Sequence, residues 1–262
     1  MIKVLQKVDA VLQAVAEKKD KATLVEISHK LKIHKATLSH ILKTMNELGY
    51  IAKDTAKCYS IGPRIIELAE SRRRQTILHE VAAEYARSLA EELHESASVS
   101  IIHEGNRYLI ARASINQSIT VATGLEFRAA PYHTATGRLL LAYLDRENLR
   151  LVLKTNGIPG RSWDGIQHCE ALNKKLAEIR MRGLAFWRAD DGQAEAVAAP
   201  VFGPDKKVWA ALGVGVPAYR FQGTKREKII RALKTTSEQM SNALALRVIQ
   251  TSDQIHFYQG RR

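Results

Sequence analysis

Hydrophobic positions recur at helical spacing through the first part of the chain and switch to a period of two further on. Val4, Val8, Val11, Leu12 and Val15 form one apolar stripe. Leu24, Ile27 and Leu31 form a second, and Leu38, Ile41, Leu42 and Met45 a third. Each has the period of an amphipathic helix. Thr23 and Glu26 have the Thr-x-x-Glu spacing of a capping box, which marks the start of the second helix. Gly49 supplies the stop that the third needs. Only Lys32 and Ile33 sit between the second and third helices, so the two cross, as in a helix-turn-helix. Tyr50–Ala52 and Cys58–Ile61 are β-prone runs around the polar loop Lys53–Lys57, which predicts a hairpin, or wing, directly after the third helix.

The remaining chain reads as a second domain. Leu78, Ala82, Tyr85, Leu89 and Leu93 predict a helix over 77–93. The period then becomes two: Ala97, Val99 and Ile101 alternate with Ser96, Ser98 and Ser100. Tyr108–Ala113 is a second strand, joined through the turn Glu104-Gly105-Asn106. Gly137–Leu144 and Glu147–Leu153 read as helices, and Ile166, Cys169, Leu172, Leu176 and Ile179 as a longer one ended by Gly183. Strands are predicted at Leu184–Trp187, Ala194–Phe202 and Val208–Val216, and a last helix by Ile229, Leu233, Thr236, Met240 and Leu244. This order predicts an α+β chain whose antiparallel sheet is covered by helices. At 262 residues the chain holds two domains with separate cores. The boundary is placed near Glu67–Thr76, where Arg72-Arg73-Arg74-Gln75 reads as a solvated linker helix in preference to a second phosphate contact.

The outer face of the third helix carries the functional signal. With Leu38, Ile41, Leu42 and Met45 inward, Ala36, Ser39, His40 and Lys43 point away, at about 100° per residue. They are short, hydrogen-bonding or basic, and lie towards the helix N-terminus, the end that enters the major groove in such motifs. Lys35 and Thr37 flank them, and Lys53 and Lys57 stand at the wing loop, in reach of phosphates. A solvated face of an ordinary helical hairpin is the alternative. Charge favours the DNA reading: the net charge is +13, and residues 1–75 hold 15 Lys+Arg against 8 Asp+Glu. Basic charge concentrated on such a motif favours a polyanion partner.

Residues Val4–Leu68 resemble the winged helix-turn-helix of IclR-type bacterial transcriptional regulators. The resemblance lies in Leu24-x-Glu26-Ile27-Ser28, Ile33-x-Lys35-Ala36-Thr37-Leu38, Ile41-Leu42, Glu47-Leu48-Gly49-Tyr50 and Tyr59-Ser60-Ile61-Gly62-Pro63. Lys32 stands where the family has Gly in the turn, and His40 where it has Arg. The second domain resembles the family's effector domain through Pro131–Arg138, Ala177-Glu178-Ile179-Arg180-x-x-Gly183, Val197–Val201 and Ala210-Ala211-Leu212.

The resemblance implies a GAF-like sensor at 77–250 behind a DNA-binding domain at 1–66 and a linker helix at 67–76, with 251–262 as a C-terminal tail. It also implies a homodimer or homotetramer on a double-stranded operator. Carried over position by position, it implies effector contacts at Ala135 and Thr136, at Ala194 and Ala196, and at Gly213 and Gly215, with Ile119 as an apolar wall. Ala196 stands where many members have Cys, and Gly213 and Gly215 where a subgroup has Ser. The polar helix start Thr134–Gly137 faces these small residues, which suits a carboxylate. The small residues alternatively serve close strand packing.

Catalytic chemistry is weakly signalled. There is no Gly-x-Ser-x-Gly elbow and no Gly-x-x-x-x-Gly-Lys-Ser/Thr loop. Asp190-Asp191 beside Gly192 reads as a solvated turn. His133 reads as a ligand-contacting or merely hydrogen-bonded imidazole in preference to an acid-base residue. Cys58 and Cys169 lack metal spacing and are expected as packing residues with free thiols. No metal or cofactor is expected. No signal peptide pattern is visible, and the most apolar run, Val208–Ala218, falls short of the roughly 20 residues a membrane span needs. The expected protein is a cytoplasmic regulator, a repressor rather than an activator, of a catabolic operon under an anionic metabolite. The alternative is an enzyme or sensor module that uses the second domain without specific DNA binding.

Overall fold

The computed structural model describes residues 2–18, 21–114, 117–120 and 128–260. The chain forms two compact units, Met1–Gln75 and Thr76–Arg262.

The first unit runs α1 (Lys3–Glu17), β1 (Ala22–Thr23), α2 (Leu24–Leu31), α3 (Lys35–Glu47), β2 (Ile51–Lys53) and β3 (Cys58–Ile61). Its core is Val11, Val15, Ile27, Leu38, Leu42, Met45, Ile51 and Tyr59, with smaller residues between them. Leu24, Leu31 and Ile41 pack on its edge. Val4 departs from the expected stripe: it is 60% exposed, as are its neighbours Ile2 and Leu5 at 66% and 64%. Helix α1 meets α2 and β3 through its later turns, and its first turn lies outside the core of the described residues. The wing sheet has the order β1-β3-β2, antiparallel throughout. Periodicity did not reveal β1, because two residues define no alternation.

Local chemistry explains where these elements begin and end. Thr23 and Glu26 close the capping box: Thr23 N donates to Glu26 Oε2 at 2.9 Å and Glu26 N to Thr23 Oγ1 at 3.3 Å. These bonds, with Lys18 Nζ 3.1 Å away, hold the Glu26 carboxyl down at about 2. Lys32 adopts the left-handed conformation (φ 52°) that ends α2, a conformation better suited to Gly. The turn is then fixed by Ser28 Oγ donating to Ile33 O at 2.7 Å.

The lowered Glu26 pKa makes the first unit sensitive to acid. A depressed carboxylate contributes stability above its unfolded pKa, near 4.5, and loses it as pH falls towards about 2. Acid titration followed by circular dichroism should show helix loss in that window, and Glu26→Gln should flatten this part of the curve. An identical acid limb in the variant would assign the transition to other groups.

The second unit contains most of α4 (Pro63–Leu93), which begins in the first. It continues with β4 (Ser96–His103), β5 (Asn106–Ser114), β6 (Gln117–Thr120), α5 (Ala135–Ala142), α6 (Arg146–Asn156), α7 (Cys169–Arg182), β7 (Ala185–Arg188), β8 (Ala194–Phe202), β9 (Val208–Pro217) and α8 (Gly223–Gly260). The sheet order is β6-β5-β4-β9-β8-β7, and every pair is antiparallel. Alternation divides its faces. Val197, Val201, Leu212 and Val214 join α4 and α8 in one core; Ala198 and Ala211 join α5, α6 and α7 in another.

The stretch Glu67–Thr76, expected as a linker helix, is helical: it is part of the continuous helix α4, whose first position is Pro63, a favoured site for that residue, and the two units divide at Gln75 and Thr76. Two expectations change. The helix α8 continues through Gly260 instead of giving way to a tail at 251. Ile166 is buried but belongs to the loop before α7, where it bridges Gly160. Cys169 therefore opens α7 and is exposed, not packed; Cys58 is half-buried.

Every residue of α5 is buried. Arg138 is the cation among them, and its guanidinium hydrogen bonds go to carbonyl oxygens. Nε donates to Tyr132 O at 2.8 Å, Nη1 to Phe186 O at 3.1 Å and Nη2 to Ser162 O at 2.9 Å. Its guanidinium lies 4.8 Å from the Trp163 ring centroid. Burial pulls its pKa down to about 10, against the opposing pull of Asp164 and Asp190. Arg138 thus ties α5 to the segments on three sides of it.

Candidate nucleic-acid interface and effector site

Helix α3 buries Leu38, Leu42 and Met45 and leaves Lys35, Ala36, Thr37, Ser39, His40 and Lys43 exposed. Its N-terminus breaks the ordinary helix rules. His34 provides no side-chain cap, no acid occupies the first turn, and Lys35 stands at the first position. A positive side chain there opposes the helix dipole, and uncapped N–H groups point outward. Both features favour an anion at this end.

The wing adds two further exposed lysines. Asp54 closes its loop, accepting from Cys58 N at 2.7 Å through Oδ1 and donating its own N to Cys58 O at 3.0 Å. Lys57 takes φ +65° to complete the turn. Lys53 Nζ lies 5.5 Å from the Tyr59 ring centroid, so its stem is held on the strand. Three acids of this unit pair with other cations: Glu26 with Lys18, Glu17 with Lys30 and Glu67 with Arg64. Lys43 has Glu47 at 4.0 Å, an exposed pair. Lys35, Lys53 and Lys57 have no acidic partner among the described residues, nor does Lys32 beside them in sequence.

In the second unit, register brings several of the implied effector residues together. Ala196 pairs with Gly215, which pairs with Ser96; Ala198 pairs with Gly213, which pairs with Ser98. Above this floor stands the start of α5. Thr134 caps it, accepting from Gly137 N at 3.0 Å. Thr136 is 4% exposed, and its hydroxyl donates to Ser100 Oγ at 3.2 Å.

The small residues do different things. A β-carbon on Gly213 would lie 2.6 Å from Thr136 Cγ2, so the space over Gly213 belongs to Thr136. Among the described residues nothing lies within 4 Å of the same point on Gly215, which is exposed. Ala194 and Ala196 are half-buried, Ala135 turns into the core, and His133 faces solvent. Ile119 belongs to β6, and its side chain lies outside the described residues.

Sequence reading did not single out the polar members of this face. Ser98 pairs with Arg112 and Ser100 with Leu109 across β4 and β5, and Trp187 pairs with Ala196 across β7 and β8. The serine alternation was the available signal; strand order was needed to place it.

Asp190 and Asp191 are exposed in a turn in which Asp191 Oδ1 accepts from Gln193 N at 2.9 Å and Gly192 has φ +70°. Among the described residues no cluster of His, Cys, Asp or Glu has the makings of a metal site, and no helix is long and apolar enough to cross a membrane.

A winged helix-turn-helix with a basic recognition face, followed by a six-stranded sensor-like sheet, defines a ligand-responsive DNA-binding regulator. Residues 4–55 match the IclR helix-turn-helix domain, and residues 73–242 match the domain described as bacterial transcriptional regulator IclR C-terminal. The chain belongs to the IclR family of transcriptional regulators. It is 29% identical over 224 residues to the Pca regulon regulatory protein of Pseudomonas putida, covering 84% of this chain and 76% of that protein. It is 26% identical over 239 residues to the HTH-type transcriptional regulator KdgR of Escherichia coli, covering 90% of each. The Thermotoga maritima IclR structure matches with a TM-score of 0.56 at 21% identity, over 94% of this chain and 100% of that one. An IclR homolog from Microbacterium hydrocarbonoxydans, solved in complex with 4-hydroxybenzoate, matches with a TM-score of 0.54 at 19% identity, over 92% and 98% of the two chains.

Proposed function

We propose that this regulator is a cytoplasmic repressor of a catabolic operon, released from its operator by a small carboxylate, and that it acts as a homodimer or homotetramer. Domain limits of 1–66, 67–76 and 77–250 serve as its working division. The observation that carries the DNA part is the outward face of α3. It combines hydrogen-bonding side chains with an uncapped, basic N-terminus that nothing in its own fold requires. The effector part rests on the hydroxyl-rich start of α5 over the serine and glycine floor. The 4-hydroxybenzoate bound by the Microbacterium homolog is a small carboxylate of the kind proposed.

In this scheme Ala36, Thr37, Ser39, His40 and Lys43 face base edges, and Lys35, Lys53 and Lys57 take phosphates. Base contacts specify, whereas phosphate contacts position. Selection of bound duplexes from a random pool should therefore yield a palindromic consensus, the mark of a symmetric oligomer. Ser39→Ala and His40→Ala should each narrow the gap between consensus and random duplex by about 1–3 kcal/mol. Unchanged discrimination in both variants would place the reading head elsewhere. Ligand action must be reciprocal: a compound that weakens DNA binding fivefold binds the DNA complex about fivefold more weakly.

A further inference from the structure

Arg107 is a half-buried cation with no counter-charge among the described residues. It lies on β5 opposite Ile102, and its backbone also bridges Ala129. Nη1 donates to Ser100 Oγ at 3.0 Å, while Nε is buried and meets no acceptor among the described residues. Among the described residues no carboxylate pairs with it. Burial pulls its pKa below the ordinary arginine value, and no acid raises it again.

The buried cation of α5 is treated differently. Arg138 has all three kinds of guanidinium nitrogen on carbonyl oxygens. The buried Glu95 likewise has both Arg220 and Lys225. An unpaired cation in a partly desolvated place is costly unless something compensates it.

The groups around Arg107 add donors and no negative charge. Ser100 Oγ accepts from Arg107 Nη1 and shares a hydroxyl–hydroxyl bond with Thr136 Oγ1. Thr136 Oγ1 lies 3.4 Å from Thr134 Oγ1. Among the described residues the cluster therefore holds one positive charge without a carboxylate and one N–H donor, Arg107 Nε, without an acceptor. Its chemical complement is an anion with several acceptor lone pairs.

We propose that Arg107, together with the hydroxyls of Ser100 and Thr136, receives the carboxylate of the effector, Arg107 supplying the charge and the hydroxyls the remaining hydrogen bonds. This rests on the reading of the second unit as the effector domain and names the group that selects the ligand there. The planar guanidinium edge suits a carboxylate in two parallel bonds. A neutral amide of the same shape leaves the charge unpaired and is rejected. Thr136 sits on Gly213 of β9, so the receptor touches both α5 and the middle of the sheet.

The test uses the full chain and matched pairs of probes: 4-hydroxybenzoate and 4-hydroxybenzamide, pyruvate and pyruvamide, succinate and succinamide. Thermal shift finds binders and calorimetry gives Kd. At least one acid should raise Tm while its amide does not, and Arg107→Gln should weaken that acid by about tenfold or more. Arg231→Gln, at an exposed position on α8 over the other core, should leave the acid's Kd unchanged. Arg107→Gln should bind duplex DNA as the parent does. Equal binding of acid and amide overturns the proposal, as does wild-type affinity in Arg107→Gln, or no response to any acid.

Arg107→Met guards against a merely structural role. Its Tm without ligand should equal or exceed the parent's, since an unpaired charge has gone; a marked fall overturns the proposal. If neutral probes bind, lose affinity in Thr136→Ala and ignore Arg107→Gln, the effector site stands and only the role of Arg107 is lost. Should no probe of either kind bind, the effector reading of this site falls with it.

Discussion

Replacing Gly137 by Ala should cost the second unit roughly 3 kcal/mol or more, the upper range of overpacking. A β-carbon there would lie 2.1 Å from Pro131 O and 2.7 Å from Pro131 Cα. Both are backbone atoms, so no side-chain rotation relieves the contact. The neighbouring segment is also pinned. Tyr132 is 2% exposed, its hydroxyl donates to Gly157 O at 2.5 Å, and its carbonyl accepts from Arg138 Nε. Against this stands a helix-propensity gain of up to about 1 kcal/mol for Ala over Gly. The clash wins because its atoms cannot separate without breaking the Arg138 bonds. Calorimetry should show a Tm lower by roughly 6–12 °C, from 2–4 °C per kcal/mol for a domain of this size. A Tm equal to or above the parent's would mean that α5 and Pro131 do not approach as described.

Removing Lys35, Lys53 and Lys57 together should flatten the slope of log affinity against log salt by roughly 2.7, at about 0.9 for each phosphate no longer neutralised. All three are exposed and lack acidic partners among the described residues. The weakening should be similar for specific and random duplex, because phosphates carry no sequence. Lys30→Ala is the control: Lys30 is engaged by Glu17, so its removal should leave the slope nearly as it was. Fluorescence anisotropy across a salt series makes the measurement. A triple variant with the parent's slope would show these lysines to be merely solvated.

The recognition helix was legible because everything that defines it is local. Its apolar stripe, the turn at Lys32 and the stop at Gly49 all lie within one short stretch, where 3.6-residue periodicity tells inside from outside. The strands at 97–101, 194–202 and 208–216 were legible for the same reason. Errors fell where a pattern continued beyond its packing partners. Val4 extends the stripe of α1 but lies outside the core, and Cys169 sits at helical spacing from Leu172 and Leu176 yet opens the helix at the surface.

The effector face is the opposite case. Family resemblance marked Thr136, Ala196, Gly213 and Gly215, but could not say which are filled and which are open. Gly213 is closed by Thr136, 77 positions earlier in sequence, and Gly215 is exposed. Arg107 drew no attention because nothing in its local sequence marks it; that it has no acidic partner among the described residues shows only in the folded chain.

The amino-acid sequence alone determined the helices and strands, the basic recognition surface and the family, since each is written in short-range periodicity, charge or ordered motifs. The tertiary structure decided the sheet order, the closure of α5 onto Gly213 and the placing of Arg107 without an acid among the described residues. Those depend on contacts between residues far apart in the chain, which no local pattern encodes.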